Sequence, residues 1–280
     1  MNLPTFPNAI THPDTQKQIG MNTESSTFTI ALVVHLSQLH LVLMVLSVPL
    51  MICVPHGCLF EQGNLRMVSD GFKANSAFST ALWGSGIAWV TAVRYLGIAS
   101  APLFYSCLSN ICLVITTYSA FLTLRYDTLE DYHVLFAIFW IVSAFLTHFS
   151  VTLRSQTHRT EFTPYLFWGG VLCGTVFISL FVGIVLDQRR SLYDIKLVAE
   201  INDVQLLTTI SILEILTIYT LFALDFILSM QVLNIYVDGV NLLQIVESLS
   251  TIYRIPMKIA IFTGYSLVVV YGAVWLSKMM

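Results

Sequence analysis

The stretch that decides the fold of this chain is ESLSTIYRIPMKIAIFTGYSLVVVYGAVW, residues 247–275. It is long and apolar enough to cross a bilayer, which takes about 20 residues of helix. Lys258 lies near its middle, and Arg254 precedes it by one helical turn on the same face. A charged side chain at membrane depth costs free energy and marks function by default. Such a lysine either pairs with a buried acid or forms a Schiff base with a carbonyl ligand.

Six further apolar runs precede this stretch. Of the 280 residues 56% are hydrophobic and 10% are charged, and the mean hydropathy is +0.77, a balance that soluble domains do not have. Apolar runs of this length form helices in lipid, because a helix satisfies its own backbone hydrogen bonds. We therefore predict an all-α, multi-pass integral membrane protein with seven transmembrane helices in an antiparallel bundle. The predicted spans are residues 27–53, 77–98, 103–124, 131–153, 163–187, 205–230 and 248–276.

The rest of the sequence narrows the function classes. We predict a polar N-terminal tail over residues 1–26, a transmembrane domain over 27–276 and a C-terminal tail over 277–280. The formal charge of −3 argues against nucleic acid as a partner, and the lipid bilayer is the expected surrounding. The chain has no phosphate-binding loop, no metal-spaced Cys/His set and no hydrolase triad. Neither an enzyme nor a metal protein is expected.

Basic residues in the connections and near the ends of the predicted spans bear on the orientation. With a cytoplasmic N-terminus, four of them would lie in the cytoplasm and seven on the other side, so the positive-inside rule favours an outside N-terminus. The four are Lys17, Arg94, Arg154 and Arg159. The seven are Arg66, Lys73, Arg125, Arg189, Arg190, Lys196 and Lys278.

Carboxylates are scarce within the predicted spans. Glu214 and Asp225 lie deep in the sixth span, and Glu247 stands at the mouth of the seventh. At about 1.5 Å of rise per residue, Asp225 and Arg254 share a level on neighbouring antiparallel helices. We therefore expect Asp225 to pair with Arg254, because an unpaired arginine at that depth would be costly.

His35, in the first span, lies about 7 Å from the middle of its helix, on the side where Lys258 lies about 5 Å from the middle of its own. This depth predicts a charge-compensated polar cluster of Lys258, Arg254, Asp225 and His35. The alternative is a core histidine bonded to a neighbouring hydroxyl or carbonyl group.

Three stretches resemble the heliorhodopsins, a family of retinal-binding proteins with seven helices. In the first span, HLSQ at residues 35–38 resembles the family's His-Leu-x-Gln pattern. In the fourth, EDYHVLFAIFW at 130–140 resembles the family's entry with Ala-Ile-Phe, and in the fifth PYLFWG at 164–169 resembles its Pro-aromatic-x-Phe-Gly opening. With these stretches in this order, Lys258 falls on the family's retinal-linking lysine.

The resemblance implies a rhodopsin-like bundle and a photoreceptor that binds all-trans retinal to Lys258 as a Schiff base and isomerises it with light. It also implies a slow photocycle, a homodimer and a cytoplasmic N-terminus, the last in conflict with the charge count. A retinal pocket needs aromatic walls. The candidates are Phe167 and Trp168 in the fifth span, and Tyr219 and Phe222 in the sixth.

The sequence departs from the family at the counterion. The family has a glutamate early in the third helix, where residues 101–114 of this chain, APLFYSCLSNICLV, contain no acid. The family also has a small hydroxyl residue one turn before the lysine, and here that residue is Arg254. A missing anion and an added cation both disfavour a protonated Schiff base. Either the sixth helix supplies the counterion, with Glu214 the first candidate and Asp225 the second, or an inorganic anion does, or the Schiff base is largely neutral.

Three functions are compatible with these features. The first is a retinal-binding light sensor without strong pumping, since the first three spans offer no series of carboxylates. The second is a light-gated proton or ion pathway that uses Glu214, Asp225 and Glu247. The third is a non-photoactive membrane protein in which Lys258 and Arg254 bind an anionic lipid head group or pair with Asp225.

Overall fold

The computed structural model of the protein describes residues 13–53, 68, 76–99, 103–125, 132–153, 163–187 and 204–236. This part of the chain is all-helical and forms six helices. They are α1 (Pro13–Cys53), α2 (Ser76–Ala99), α3 (Leu103–Leu124), α4 (His133–His148, continued by a π-helix at Phe149–Leu153), α5 (Thr163–Asp187) and α6 (Val204–Tyr236).

The observed helices coincide with the first six predicted spans to within a few residues at most ends. The larger differences are at α1, which begins at Pro13 and so extends into the stretch predicted as a polar tail, and at α6, which runs on to Tyr236. The seventh predicted span, with Glu247, Arg254 and Lys258, lies outside the described residues.

Five of the six described helices are long and apolar enough to cross a membrane: α1, α3, α4, α5 and α6. Their apolar windows cover Thr27–Pro49, Ser106–Leu124, His133–Val151, Thr163–Leu180 and Thr208–Leu233. The length and composition of these helices are those of a multi-pass membrane protein, as the sequence predicts. The count of seven spans stays a prediction.

α6 is the central helix of the described bundle. Within its apolar window 61% of the residues are buried, compared with 22% in the window of α1. α6 packs against α5, which precedes it in the chain, and also against α1 and α2. Leu213, Leu221 and Leu224, at most 1% exposed, form part of the core on this helix. A side chain on α6 is therefore surrounded by several other helices.

Hydrogen bonds fix the position of α6 against α1. Nε2 of Gln38 donates to Oγ of Ser229 over 2.9 Å, and the hydroxyl of Tyr219 donates to the backbone carbonyl of Val45 over 3.2 Å. These two bonds lie ten residues apart on α6, about 15 Å along its axis. Together they hold the two helices side by side over about three turns.

One glycine allows a close approach between α5 and its neighbours. A Cβ at Gly170 would lie 2.5 Å from Cγ2 of Thr220 on α6 and 2.9 Å from Cζ of Phe145 on α4. Both distances are shorter than van der Waals contact allows, so the packing of three helices at this level requires a residue without a side chain.

Candidate functional site

Three ionisable side chains from three helices meet inside the bundle: Arg94 of α2, His148 of α4 and Asp225 of α6. Nε of Arg94 donates to Oδ1 of Asp225 and Nη2 donates to Oδ2, each over 2.7 Å. Nε2 of His148 lies 3.1 Å from Oδ1 of Asp225. Arg94 and Asp225 are each 4% exposed, and His148 is not exposed at all. We call these three residues the charged cluster.

The topology of the bundle explains why these residues are at one level. α2 runs antiparallel to α1, and α4 runs antiparallel to α3. In an antiparallel bundle α2 and α4 therefore end on the same side. Arg94 lies in the second-last turn of α2, and His148 is the last residue of α4. The π-helix that begins at Phe149 widens the turn directly after His148, a feature that is frequent at functional sites.

The charges within the cluster compensate each other. The guanidinium group of Arg94 and the carboxylate of Asp225 form a two-point ion pair, which is the strongest common geometry for these groups. In a buried site the loss of either partner would leave an uncompensated charge, which is far more costly than the loss of a surface pair. With His148 neutral, the net charge of the charged cluster is zero.

A narrow cleft opens beside the ion pair, inside the bundle. Its cavity volume is about 20 Å³, which is room for one water molecule. Hydroxyl groups supply part of its wall: Oγ1 of Thr91 and Oγ1 of Thr117 lie 3.0 Å apart, and Thr116 donates to Oγ of Ser143 over 2.8 Å. The cleft is lined by Met44, Trp83, Ile87, Val90, Thr91, Arg94, Thr116, Thr117, Ala120, Trp140, Phe222 and Asp225.

Aromatic side chains form another part of the cleft wall. The rings of Trp83 and Phe222 pack with centroids 5.4 Å apart, at an interplanar angle of 56°. Nε1 of Trp83 donates to Oγ of Ser47 over 2.9 Å, which fixes the orientation of the indole. Trp140 contributes a further ring from α4. The cleft wall thus contains both aromatic rings and the charged pair.

The four predicted pocket aromatics fall in different places. Phe222 is buried and lines the cleft. Tyr219 is half-buried, and its hydroxyl is bonded to the backbone of Val45. Phe167 and Trp168 line a different space, an apolar groove between α4 and α5. Their rings are perpendicular, with centroids 5.1 Å apart, and Trp168 is 52% exposed.

Glu214 forms its hydrogen bond far from the charged cluster. It is buried, and its Oε2 accepts a hydrogen bond of 2.7 Å from the backbone N–H of Val68, a residue of the connection between α1 and α2. Glu214 precedes Asp225 by eleven residues, which is about 16 Å along α6. The carboxylate of Glu214 therefore binds the connection between α1 and α2 at a level of α6 well away from Asp225.

His35 has a contact within its own helix. It is exposed, and its Nδ1 lies 3.3 Å from Oε1 of Gln38. The other predicted members of the polar cluster, Arg254 and Lys258, lie outside the described residues, so their grouping with His35 stays a prediction. The expected pair of Asp225 and Arg254 is equally untested, but both oxygens of Asp225 already accept hydrogen bonds from another arginine.

Arg94 and His148 are the residues that the sequence analysis missed. The charge count places Arg94 on the cytoplasmic side, but the residue is buried inside the bundle and paired with Asp225, so it does not belong in that count. Without it the count becomes three against seven, which still favours an outside N-terminus. The signal that could have identified Arg94 is its position inside a predicted span. His148 lies near the end of an apolar run, where a histidine carries little information by itself.

No protein-family model matches the chain, and neither does any curated protein or solved structure.

Proposed function

We propose that the protein is a light-absorbing retinal protein, a photoreceptor that carries all-trans retinal as a Schiff base on Lys258. The observation that supports this best is a buried, charge-paired carboxylate, Asp225, in the wall of a cleft lined with aromatic rings. A polyene aldehyde requires apolar, aromatic surface along its length and ionisable groups where it is attached to the protein. Lys258 would condense with the aldehyde carbon through its neutral Nζ, with release of one water.

The residues present fit retinal in their chemistry. Trp83, Trp140 and Phe222 offer ring faces, and Arg94 and Asp225 offer the charged groups. The cleft itself has room for one water molecule, so these residues would supply a wall of the retinal site and not its volume. Lys258 itself lies outside the described residues.

Sensing fits the arrangement of charges better than pumping does. A pump needs carboxylates that take up and release protons along a pathway. Of the acids deep in the described spans, Asp225 is paired with Arg94 and Glu214 is bonded to the connection at Val68. The candidate spans of α1 and α3, and the whole of α2, contain no Asp or Glu. A light-gated proton or ion pathway is the alternative on the same fold.

The proposal is tested by expression with all-trans retinal. The purified protein should contain retinal, absorb in the near-ultraviolet or visible range and lose that band with hydroxylamine. Lys258→Ala and Lys258→Arg should abolish the band and leave membrane insertion intact, whereas the control Lys196→Arg, in the predicted connection between the fifth and sixth spans, should retain it. A band retained in both Lys258 variants would place the linkage elsewhere.

Two further measurements separate the alternatives. Patch-clamp recording under illumination detects a conducting pathway. Light-induced currents that require Lys258 would show that the protein is a light-gated channel and not only a sensor. A protein that never binds retinal would instead favour the non-photoactive membrane protein, with Lys258 and Arg254 available for an anionic lipid head group. The mass of the detergent-solubilised complex tests the proposed homodimer.

A further inference from the structure

We infer that the apolar groove between α4 and α5 binds one acyl chain of a membrane phospholipid, held parallel to the two helices. The inference does not depend on retinal binding. The groove has a cavity volume of about 380 Å³, within the range of about 300–1,000 Å³ that is usual for small-molecule sites. Its described lining residues are all different from those of the cleft beside Asp225, so it is a separate site.

The walls of the groove suit an apolar occupant. None of the described lining residues is charged, and the polar groups on their side chains are the hydroxyl of Thr175 and the indole N–H of Trp168. Oγ1 of Thr175 donates to the backbone carbonyl of Val171 over 2.7 Å, so this hydroxyl is already bonded within α5. A polar or charged ligand would lose its hydration here without gaining enough hydrogen bonds in return.

Packed aromatic rings form one end of the groove. The ring of Phe167 is perpendicular to the rings of Phe145 and Trp168, with centroids 5.8 Å and 5.1 Å away, and its centroid lies 6.0 Å from that of Phe149. Phe149 directly follows α4 and Trp168 lies in the second turn of α5, so both are near the connection between these helices. Tryptophan is frequent near the surface of a bilayer, which fits a groove that has this end nearer the surface.

The groove follows the helices for about half the thickness of a bilayer. On α4 its lining extends from Ile141 to Phe149, which is about 12 Å, and on α5 from Phe167 to Ile178, which is about 16 Å. Half of the hydrocarbon core is about 15 Å. Ile141 lies next to the middle of the apolar window His133–Val151. The groove therefore lies mainly in one leaflet, and its long direction is that of the acyl chains.

The groove opens outwards, where lipid surrounds a membrane-spanning helix. Val142, Leu146 and Trp168 line it and are 45%, 48% and 52% exposed. Both helices that carry them are long and apolar enough to cross a membrane. At this depth in a bilayer the acyl chains of phospholipids are the molecules in contact with such a surface. A chain inside the groove gains van der Waals contacts with two helices, which a chain against a single helix does not.

Photo-crosslinking of the wild-type protein tests the occupant. The purified protein in detergent is titrated with a phosphatidylcholine that carries a diazirine on its acyl chain, and labelled residues are mapped by mass spectrometry. Labelling at Leu146, Phe149 and Val171 should saturate with a single lipid per chain. Val114 and Tyr118 on α3, each 68% exposed, provide the comparison, and their labelling should rise in proportion to the probe. Proportional labelling at both surfaces would show surrounding lipid only and overturn the inference.

Two matched variants test the groove itself. Val142→Trp fills it with a large side chain, whereas Val114→Trp makes the same change at an exposed valine of α3 outside the groove. Val142→Trp should weaken the saturable labelling by roughly tenfold, which corresponds to about 1.4 kcal/mol. Val114→Trp should leave it unchanged. If Val142→Trp does not fold, Thr175→Trp fills the groove from the other helix. Wild-type labelling in a folded, groove-filled variant would contradict the inference.

A second copy of this chain is the other apolar surface that could cover the groove. The same labelling is therefore measured on monomers and on any larger complex after separation by mass. Saturable labelling of the groove in each species supports the acyl chain. Groove residues that are labelled in the monomer and protected in a dimer would show that the partner copy covers the groove, and the inference would be wrong.

Discussion

Arg94 and Asp225, 131 residues apart in the sequence, form a two-point ion pair in which both hydrogen bonds are 2.7 Å long. The pair joins α2 to the central helix α6, and His148 brings α4 to the same carboxylate. The cluster thereby links α2, α4 and α6, three helices that do not follow one another directly in the chain. The charged cluster therefore connects these three helices in the bundle interior.

The ion pair should appear in a double-mutant cycle. Arg94→Gln and Asp225→Asn should each lower stability by roughly 3–5 kcal/mol, because each leaves a buried charge without a partner. The double variant should lose less than the sum of the two. Thermal unfolding in detergent, without retinal, measures all three.

Arg254 provides the comparison for this cycle. If Asp225 is held by Arg94, the losses caused by Asp225→Asn and Arg254→Gln should be additive. Strong coupling between Asp225 and Arg254, with additive losses for Arg94, would restore the pairing that depth along the helices predicts.

Glu214 should act as an anchor for the connection between α1 and α2. Glu214→Gln keeps a carbonyl oxygen that can accept the N–H of Val68, so we expect a small change in stability. Glu214→Leu leaves that buried N–H without its acceptor and should cost about 1–3 kcal/mol. Protease sensitivity of residues 54–75, compared between the two variants, reports the anchor directly. Equal protection in both would show that the bond is not needed.

Gly170 and Gly174 should respond in opposite directions to the same change. Gly170→Ala puts a Cβ 2.5 Å from Thr220 and should cost about 1–3 kcal/mol through overpacking. Gly174→Ala meets its nearest neighbours, Ile141 and Thr217, at 3.5 Å and should stabilise α5 by about 0.5–1 kcal/mol, because alanine favours a helix over glycine. Melting temperatures in detergent provide the test, and a loss of stability in both variants would contradict this prediction.

His35 should be replaceable. It is exposed and its contact is with Gln38 of the same helix, so His35→Phe should change stability by no more than about 0.5 kcal/mol. The absorption band should remain at its wild-type position. A shifted band in this variant would instead indicate that His35 belongs to the surroundings of Lys258, as its depth in the first span suggests.

The sequence alone determined the helices. Each of the first six predicted apolar runs forms a helix, and five of these helices are long and apolar enough to cross a membrane, so their positions follow from composition and length. It also identified Glu214 and Asp225 as buried acids, because they interrupt a long apolar run.

Only the tertiary structure decided which partners these acids have. Depth along a helix can be counted from the sequence, but the rotation of a helix and its choice of neighbours depend on packing between distant segments. Asp225 contacts Arg94 and His148, and Glu214 contacts Val68. Because α6 lies at the centre of the described bundle, each of its faces could have packed against any of several helices. The spacing of residues along the sequence does not specify which of these helices packs against a given face.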